Sequence, residues 1–195
     1  MRDMRAKAGF SLVELMVVVV IVGVLAAVAN RVFHKYLNSA RKSEVISLFA
    51  EIRTKQEAYR AEFSSYLNAG SAAGGTATNE TTHVYPANPD GTPRLWDPDG
   101  NALAGYTGTP NNNWDRLGIR PGKPQQYCAF SVLVGPAAGL TGPRCTAFMG
   151  GVLPAAGAPW WCANAICNND PSDPINATFV TSSDRTTIAE QNIHQ

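Results

Sequence analysis

FSLVELMVVVVIVGVLAAV, residues Phe10 to Val28, decides the fold: nineteen positions carrying a single charge, Glu14. Extended by Ala29, and at about 1.5 Å per residue, the stretch makes a helix of roughly 30 Å, the thickness of a bilayer's hydrocarbon core. Nine residues precede it, with Arg2, Arg5 and Lys7 against Asp3. A secretory signal has a shorter apolar region closed by a small-residue cleavage site. Here the run passes directly into charged, helix-forming sequence, so any cut is expected before it.

Glycine and proline carry the reading outward. From Phe10 to Ser65 there is one glycine, Gly23, and no proline, whereas residues 66–195 hold fifteen of the seventeen glycines and all thirteen prolines. One long helix followed by a loop-rich head is expected. In the second half of that helix Phe33, Leu37, Ala40, Val45, Leu48, Phe49, Ile52, Tyr59 and Phe63 recur at helical spacing, which predicts an apolar docking stripe. Its charged side offers Glu51 with Lys55 and Arg53 with Glu57, i,i+4 pairs worth about 0.2–0.5 kcal/mol each.

With 195 residues and 45% hydrophobic content, the chain has room for one domain after the helix. The net charge of +1 hides an asymmetry: Met1 to Tyr66 holds ten Lys/Arg against six Asp/Glu, and the remainder six against nine. That is too weak for a nucleic-acid surface, but it favours contact between head and stalk, within or between subunits.

Lys7-Ala8-Gly9-Phe10-Ser11-Leu12-Val13-Glu14-Leu15-Met16, followed by the apolar run with Gly23, resembles the N-terminus of a type IV prepilin. The resemblance implies a prepilin peptidase that cuts after Gly9 on the cytoplasmic face and methylates the new amine of Phe10. It also implies that Glu14, a carboxylate that apolar surroundings would otherwise penalise, meets the methylated amine of a neighbouring subunit during assembly. A glutamate interacting with the positive end of its own helix is the plainer alternative, and the two are compatible. In pilins of this kind a proline usually follows the glycine of the tail by eight residues. Arg31 stands there, so a helix unbroken from about Ser11 to about Phe63 is expected.

The expected fold is α+β: a long N-terminal helix, transmembrane in its first half and amphipathic in its second, packed on a small antiparallel sheet. The expected divisions are a leader at 1–9, a transmembrane and filament-core helix at 10–29, an amphipathic stalk at 30–66 and a globular head at 67–195. The implied function is structural: a subunit that polymerises with copies of itself or other pilins into an extracellular filament. The implied partners are the peptidase, an inner-membrane assembly platform and an assembly ATPase. Before assembly the chain would be a single-pass inner-membrane protein with a cytoplasmic N-terminus. Alternatives within the resemblance are a periplasmic pseudopilin of type II secretion and a tip-located, ligand-binding minor pilin.

Residues 68–113 show little periodicity and read as a linking loop with turns at Pro89-Asp90-Gly91 and Asp97-Pro98-Asp99-Gly100-Asn101. The second turn resembles the start of a calcium loop, but Gly108 stands where the closing Glu belongs, so a plain turn and no metal are expected. Trp114-Asp115-Arg116-Leu117-Gly118-Ile119-Arg120-Pro121 resembles a W-x-x-L-G-I-x-P segment of some type IV pilins. Strands are predicted at Gln126 to Val134 and, more weakly, at Arg144 to Met149 and Ala177 to Ser182.

Cys128, Cys145, Cys162 and Cys167 are expected in two disulfides of an exported head, with three pairings open. Cys128 with Cys145 and Cys162 with Cys167 is preferred, the second clamping a stretch that reads as poor in regular structure. Zinc lacks the paired hooks it needs, and His34, His83 and His194 are scattered. No nucleophile elbow, phosphate loop or H-E-x-x-H is present, so neither enzyme activity nor a cofactor is expected. Asn79-Glu80-Thr81 and Asn176-Ala177-Thr178 fit the glycosylation pattern and mark exposed loops. Trp96, Trp114, Trp160 and Trp161 are expected in the core rather than on an aromatic ligand surface.

Overall fold

The computed structural model describes residues 11–71, 77–86, 92–97, 112–136, 140–151, 153, 157–168 and 177–191, with the side chains of 30–35, 37, 38 and 112 outside that set. The chain divides into two compact units, Met1–Ala40 and Arg41–Gln195. Helix α1, Leu12–Phe63, is one unbroken α-helix of 52 residues and runs through positions 30 and 31 without interruption. This matches the expectation from Arg31 in place of proline. The helix ends at Ser64, whose φ of 55° is left-handed and whose N–H bonds back to the Arg60 carbonyl.

Strand β1 (Arg94–Leu95) pairs with β2 (Gln125–Gln126), with helix α2 (Asn112–Leu117) between them in sequence. Strand β3 (Cys128–Gly135), helix α3 (Pro143–Phe148), and strands β4 (Trp160–Cys167), β5 (Ala177–Ser182) and β6 (Arg185–Gln191) complete the head. The main sheet is an antiparallel meander in the order β3-β4-β5-β6. The fold is therefore the α+β arrangement read from the sequence, a long helix with a small antiparallel sheet. Its main core joins Val45, Leu48, Phe49 and Ile52 of α1 to Phe130, Val132, Trp161, Ala163, Ala165 and Phe179 of the sheet. Phe49 meets Phe130 edge to face at 6.1 Å.

The docking stripe holds from Val45 to Tyr59 but not at its ends: Ala40 is exposed, Phe63 is 52% exposed and stacks on Tyr59, and the side chains of Phe33 and Leu37 lie outside the described residues. The predicted i,i+4 pairs give way to longer reach. Glu51 accepts from the Arg120 N–H at 2.8 Å, Glu57 from the Tyr66 hydroxyl, and Arg53 donates to Thr181 and to the carbonyls of Ser182 and Arg185. A charge-assisted hydrogen bond to the head outweighs a solvent-screened neighbour one turn away.

Two strand predictions stand, at β3 and β5; the third is corrected. Residues 143–148 form α3, because Pro143 occupies its first turn, where a missing N–H costs nothing, and because Glu80 supplies acceptors for its free N–H groups. Gly142 precedes it where a Cβ would stand 2.6 Å from Leu133 Cδ1. Residues 160–167, expected to lack regular structure, are the buried interior strand β4.

The cysteine pairing is corrected with it. Cys128 bonds Cys167 and Cys145 bonds Cys162. Cys128 and Cys167 are direct partners across β3 and β4, with Cα atoms 4.2 Å apart. Cys162 and Cys167 lie five residues apart on one strand, hence on opposite faces and roughly 17 Å apart, which rules out the bond expected between them. Cys167 faces the main core with α1, while Cys162 faces the second core with Cys145 of α3, Leu133, Trp160 and Val180.

Two described stretches of the linking loop pair with β3. Ala69 pairs with Val132 and Tyr85 with Phe130, each through two backbone hydrogen bonds, so the loop covers the outer edge of β3. Trp114 and Ile119 close α2 with a Schellman turn: the Ile119 N–H bonds the Trp114 carbonyl, the Gly118 N–H bonds that of Asp115, and Gly118 sits at φ 66°. The calcium-like turn, apart from Asp97, lies outside the described residues, as does Asn176.

Candidate functional site

The apolar segment begins with a local cap. Ser11 Oγ accepts the Val13 N–H at 3.2 Å, and the Ser11 carbonyl accepts those of Glu14 and Leu15. Ser11 is thus the N-cap of α1 and Glu14 its third residue, the S-x-x-E spacing that places a carboxylate among the unpaired N–H groups of a first turn. Gly9 and Phe10 lie outside the described residues.

Beyond the cap, Leu12–Ala29 is 18 residues long and apolar enough to cross a membrane, with no residue of it buried within the chain. A contiguous apolar surface of this size needs lipid or another protein against it.

In the head the arrangement is structural, and several of its key residues were not read from the sequence. Gln56 is fully buried on α1, and its side-chain amide bonds both the carbonyl and the N–H of Leu67, at 2.6 and 3.0 Å, fixing the chain just after the helix turns. Arg53 reaches the β5–β6 hairpin and lies 5.1 Å over the Trp161 ring. Lys42 pairs with Glu190 of β6 at 2.7 Å, and Arg41 lies over Tyr127. Only the S-x-x-E spacing had a sequence signal; the reach of Gln56 and Arg53 depends on tertiary placement.

Glu80 is the most consequential of these. It is fully buried; its Oε1 accepts the Arg144 N–H at 2.5 Å and its Oε2 the Cys145 N–H at 2.9 Å. Its backbone carbonyl accepts from Ser131 Oγ and Asn164 Nδ2. Burial pushes its carboxyl above the ordinary range, and the two N–H groups together with the Arg144 charge pull back without cancelling the rise. The Asn79-Glu80-Thr81 site is accordingly not a free loop: Asn79 Oδ1 accepts from the N–H groups of Thr81 and Thr82 and from the Thr81 hydroxyl. Glu44 is raised likewise by burial, with Lys123, a hydrogen bond from Gln126, and Arg41 opposing.

All four tryptophans are buried, so they offer no exposed aromatic surface.

Comparison with known proteins bears on the N-terminal segment. Residues 4–30 match the prokaryotic N-terminal methylation motif. The chain is similar to a fimbrial protein of Moraxella nonliquefaciens, 41% identical over 51 residues that make up 26% of this chain and 33% of that protein. It is also similar to fimbrial protein Q of Moraxella bovis, 36% identical over 55 residues, 28% of this chain and 35% of that one. The chain thus spans about a third of the length of the relatives it matches. No solved structure matches. The capped, exposed apolar helix thus lies within the stretch, residues 4–30, that carries the prokaryotic N-terminal methylation motif, on a chain of α+β fold.

Proposed function

We propose that the protein is a structural pilin subunit, cut after Gly9, methylated at Phe10, and polymerised through residues 10–29 into a filament. The observation that carries this reading is that Leu12–Ala29 is apolar but for Glu14, unburied within the chain, and covered by the methylation motif. Residues 1–9 are then the leader, 30–66 the stalk and 67–195 the head. The segment 10–29 sits in the inner membrane before assembly, and an assembly ATPase acting through a membrane platform extracts it into the filament. Glu14, the single acidic residue of the apolar run, pairs with the methylated amine of a neighbour, and a charge paired only in one register selects that register.

Helix α1 passes unbroken through Arg31, where a proline is usual, which favours a minor subunit over the principal one. Copy number in sheared surface fibres separates the cases: traces fit a minor subunit, abundance a principal one, and absence with a secretion defect a pseudopilin. The test of the reading itself is intact mass together with Glu14→Ala. The mature chain should begin at methylated Phe10, and Glu14→Ala should insert normally into the membrane yet fail to enter fibres. Retention of Met1 in assembled protein, or unchanged fibre entry by the variant, would overturn it.

A further inference from the structure

Between Leu15 and Ser43 the chain holds no acidic residue, and its four Lys/Arg there, Arg31, Lys35, Arg41 and Lys42, all follow the apolar run. Two of the four are committed to the head: Arg41 lies 4.3 Å over the Tyr127 ring, and Lys42 pairs with Glu190 at 2.7 Å. Arg31 and Lys35 belong to the first compact unit, whose only acidic residues in sequence are Asp3 and Glu14. In the unbroken α1 their positions stand one turn apart on one side of the helix, an i,i+4 pair of like charges that repel unless an anion is supplied from outside. At about 1.5 Å per residue they stand roughly 3 and 9 Å along the helix beyond Ala29, where the apolar stretch ends. The polar layer on each side of a bilayer is roughly 5–8 Å deep, so both positions fall at or beside the level of the lipid phosphates. Tyr36, next along the helix, is 74% exposed, as suits an aromatic ring at a membrane–water interface.

The orientation under the proposed function puts this flank on the side away from Met1, where Lys and Arg are ordinarily depleted. Met1 to Gly9 carries three Lys/Arg, so cations on the opposite flank work against that orientation and need another cause. We infer that residues 31–36 form a docking surface for anionic phospholipid in the leaflet where α1 emerges, with Arg31 and Lys35 as its phosphate-binding residues. A guanidinium offers paired N–H donors that match phosphate oxygens, and an ammonium one turn on adds a point charge. Both side-chain types carry long apolar stems, which suit them to headgroup depth. The occupant is an anionic lipid rather than a zwitterionic one, because two positive charges with no acidic neighbour on their helix gain most from a partner of net negative charge. The contact holds the unassembled subunit at a fixed depth and is given up when the helix leaves the membrane. The inference rests on the reading of residues 10–29 as a membrane span, not on polymerisation.

The test uses the full chain in neutral maltoside micelles, followed by amide NMR during titration with phosphatidylglycerol, phosphatidylcholine or inorganic phosphate. A lipid spin-labelled on its acyl chain reports the span in the same samples. Phosphatidylglycerol should shift the amides of residues 30–37 saturably, whereas phosphatidylcholine and inorganic phosphate should not. Arg31→Gln combined with Lys35→Gln should weaken the phosphatidylglycerol titration by about tenfold or more, while the spin label still broadens the amides of residues 12–29. Arg31→Lys combined with Lys35→Arg should keep the titration. Absence of broadening in the native chain would overturn the span and the inference with it. With broadening intact, an equal response to phosphatidylcholine, saturable shifts with inorganic phosphate, or a native-like titration by the double glutamine variant would overturn the inference alone.

Discussion

At the scale of the residue, Glu80 shows how one buried side chain can organise a domain. It joins the linking loop, β3, β4 and α3 through four hydrogen bonds and sits at the start of the helix that carries a disulfide cysteine. Glu80→Ala should destabilise the head by about 1–3 kcal/mol, measured by urea unfolding, because it leaves the Arg144 and Cys145 N–H groups without acceptors. The pH dependence follows from the raised carboxyl. The folded state holds the proton more tightly than the unfolded state, so between the ordinary glutamate value and the raised one the folded chain binds more protons, and stability falls as pH rises. Glu80→Gln removes that titration. The stability of the native protein relative to Glu80→Gln should therefore shrink as pH rises through this window and level off above it; a difference that grows with pH would show that the two N–H groups outweigh burial.

At the scale of the element, the sequence made legible what periodicity encodes. Helix α1 was visible because Phe10 to Ser65 lacks breakers, and β3 and β5 because aromatic and β-branched residues cluster there. Strand β4 was not visible. Trp160-Trp161-Cys162-Ala163-Asn164-Ala165-Ile166-Cys167 is buried at every position, so it shows no alternation, and five of its eight residues are alanine, asparagine or cysteine. Missing β4 caused the wrong cysteine pairing, since the opposite-face argument exists only once the strand is known. Non-reducing peptide mapping should recover Cys128 with Cys167 and Cys145 with Cys162. Replacing Cys145 and Cys162 together by serine, which opens a crosslink of sequence separation 17, should cost about 3 kcal/mol in unfolding free energy. Arg53 tests the join between helix and sheet. Its guanidinium donates to one hydroxyl and two carbonyls of the β5–β6 hairpin, so Arg53→Ala should cost about 1.5–3 kcal/mol, and Arg53→Lys should recover only part because an ammonium lacks the planar fork. Equal stability of Arg53→Ala would mean that the Val45 to Ile52 stripe alone holds the helix on the sheet.

At the scale of the whole molecule, the two compact units have opposite relations to water. The unit Arg41–Gln195 contains the main core, including the α1 residues Val45 to Ile52, and both disulfides. The first unit buries nothing of its apolar run: thirteen large side chains between Leu12 and Val28 are each at least half exposed. At about 1.5 kcal/mol each, the low end for burying such a side chain, covering them is worth on the order of 20 kcal/mol gross. Loss of translational freedom and side-chain order takes back part of this on assembly, but the sign is not in doubt for a surface this large. The consequence is a sharp difference between fragments. Residues 41–195 expressed with an export signal should fold with both disulfides and run as a monomer by light scattering in plain buffer, because every element of the head's core is retained. The chain from Phe10 onward should stay dispersed only with detergent or lipid and should associate as detergent is withdrawn. The intermediate fragment 26–195, which drops Phe10 to Leu25 and with it most of the exposed apolar run, should behave like the head alone. If 41–195 also required detergent, the exposed Leu12–Val28 surface would not be what drives association, and the head itself would have to carry the contact; if the chain from Phe10 stayed monomeric without detergent, the apolar run would have to be covered by the chain itself, against the exposure of half or more that each of its large side chains shows.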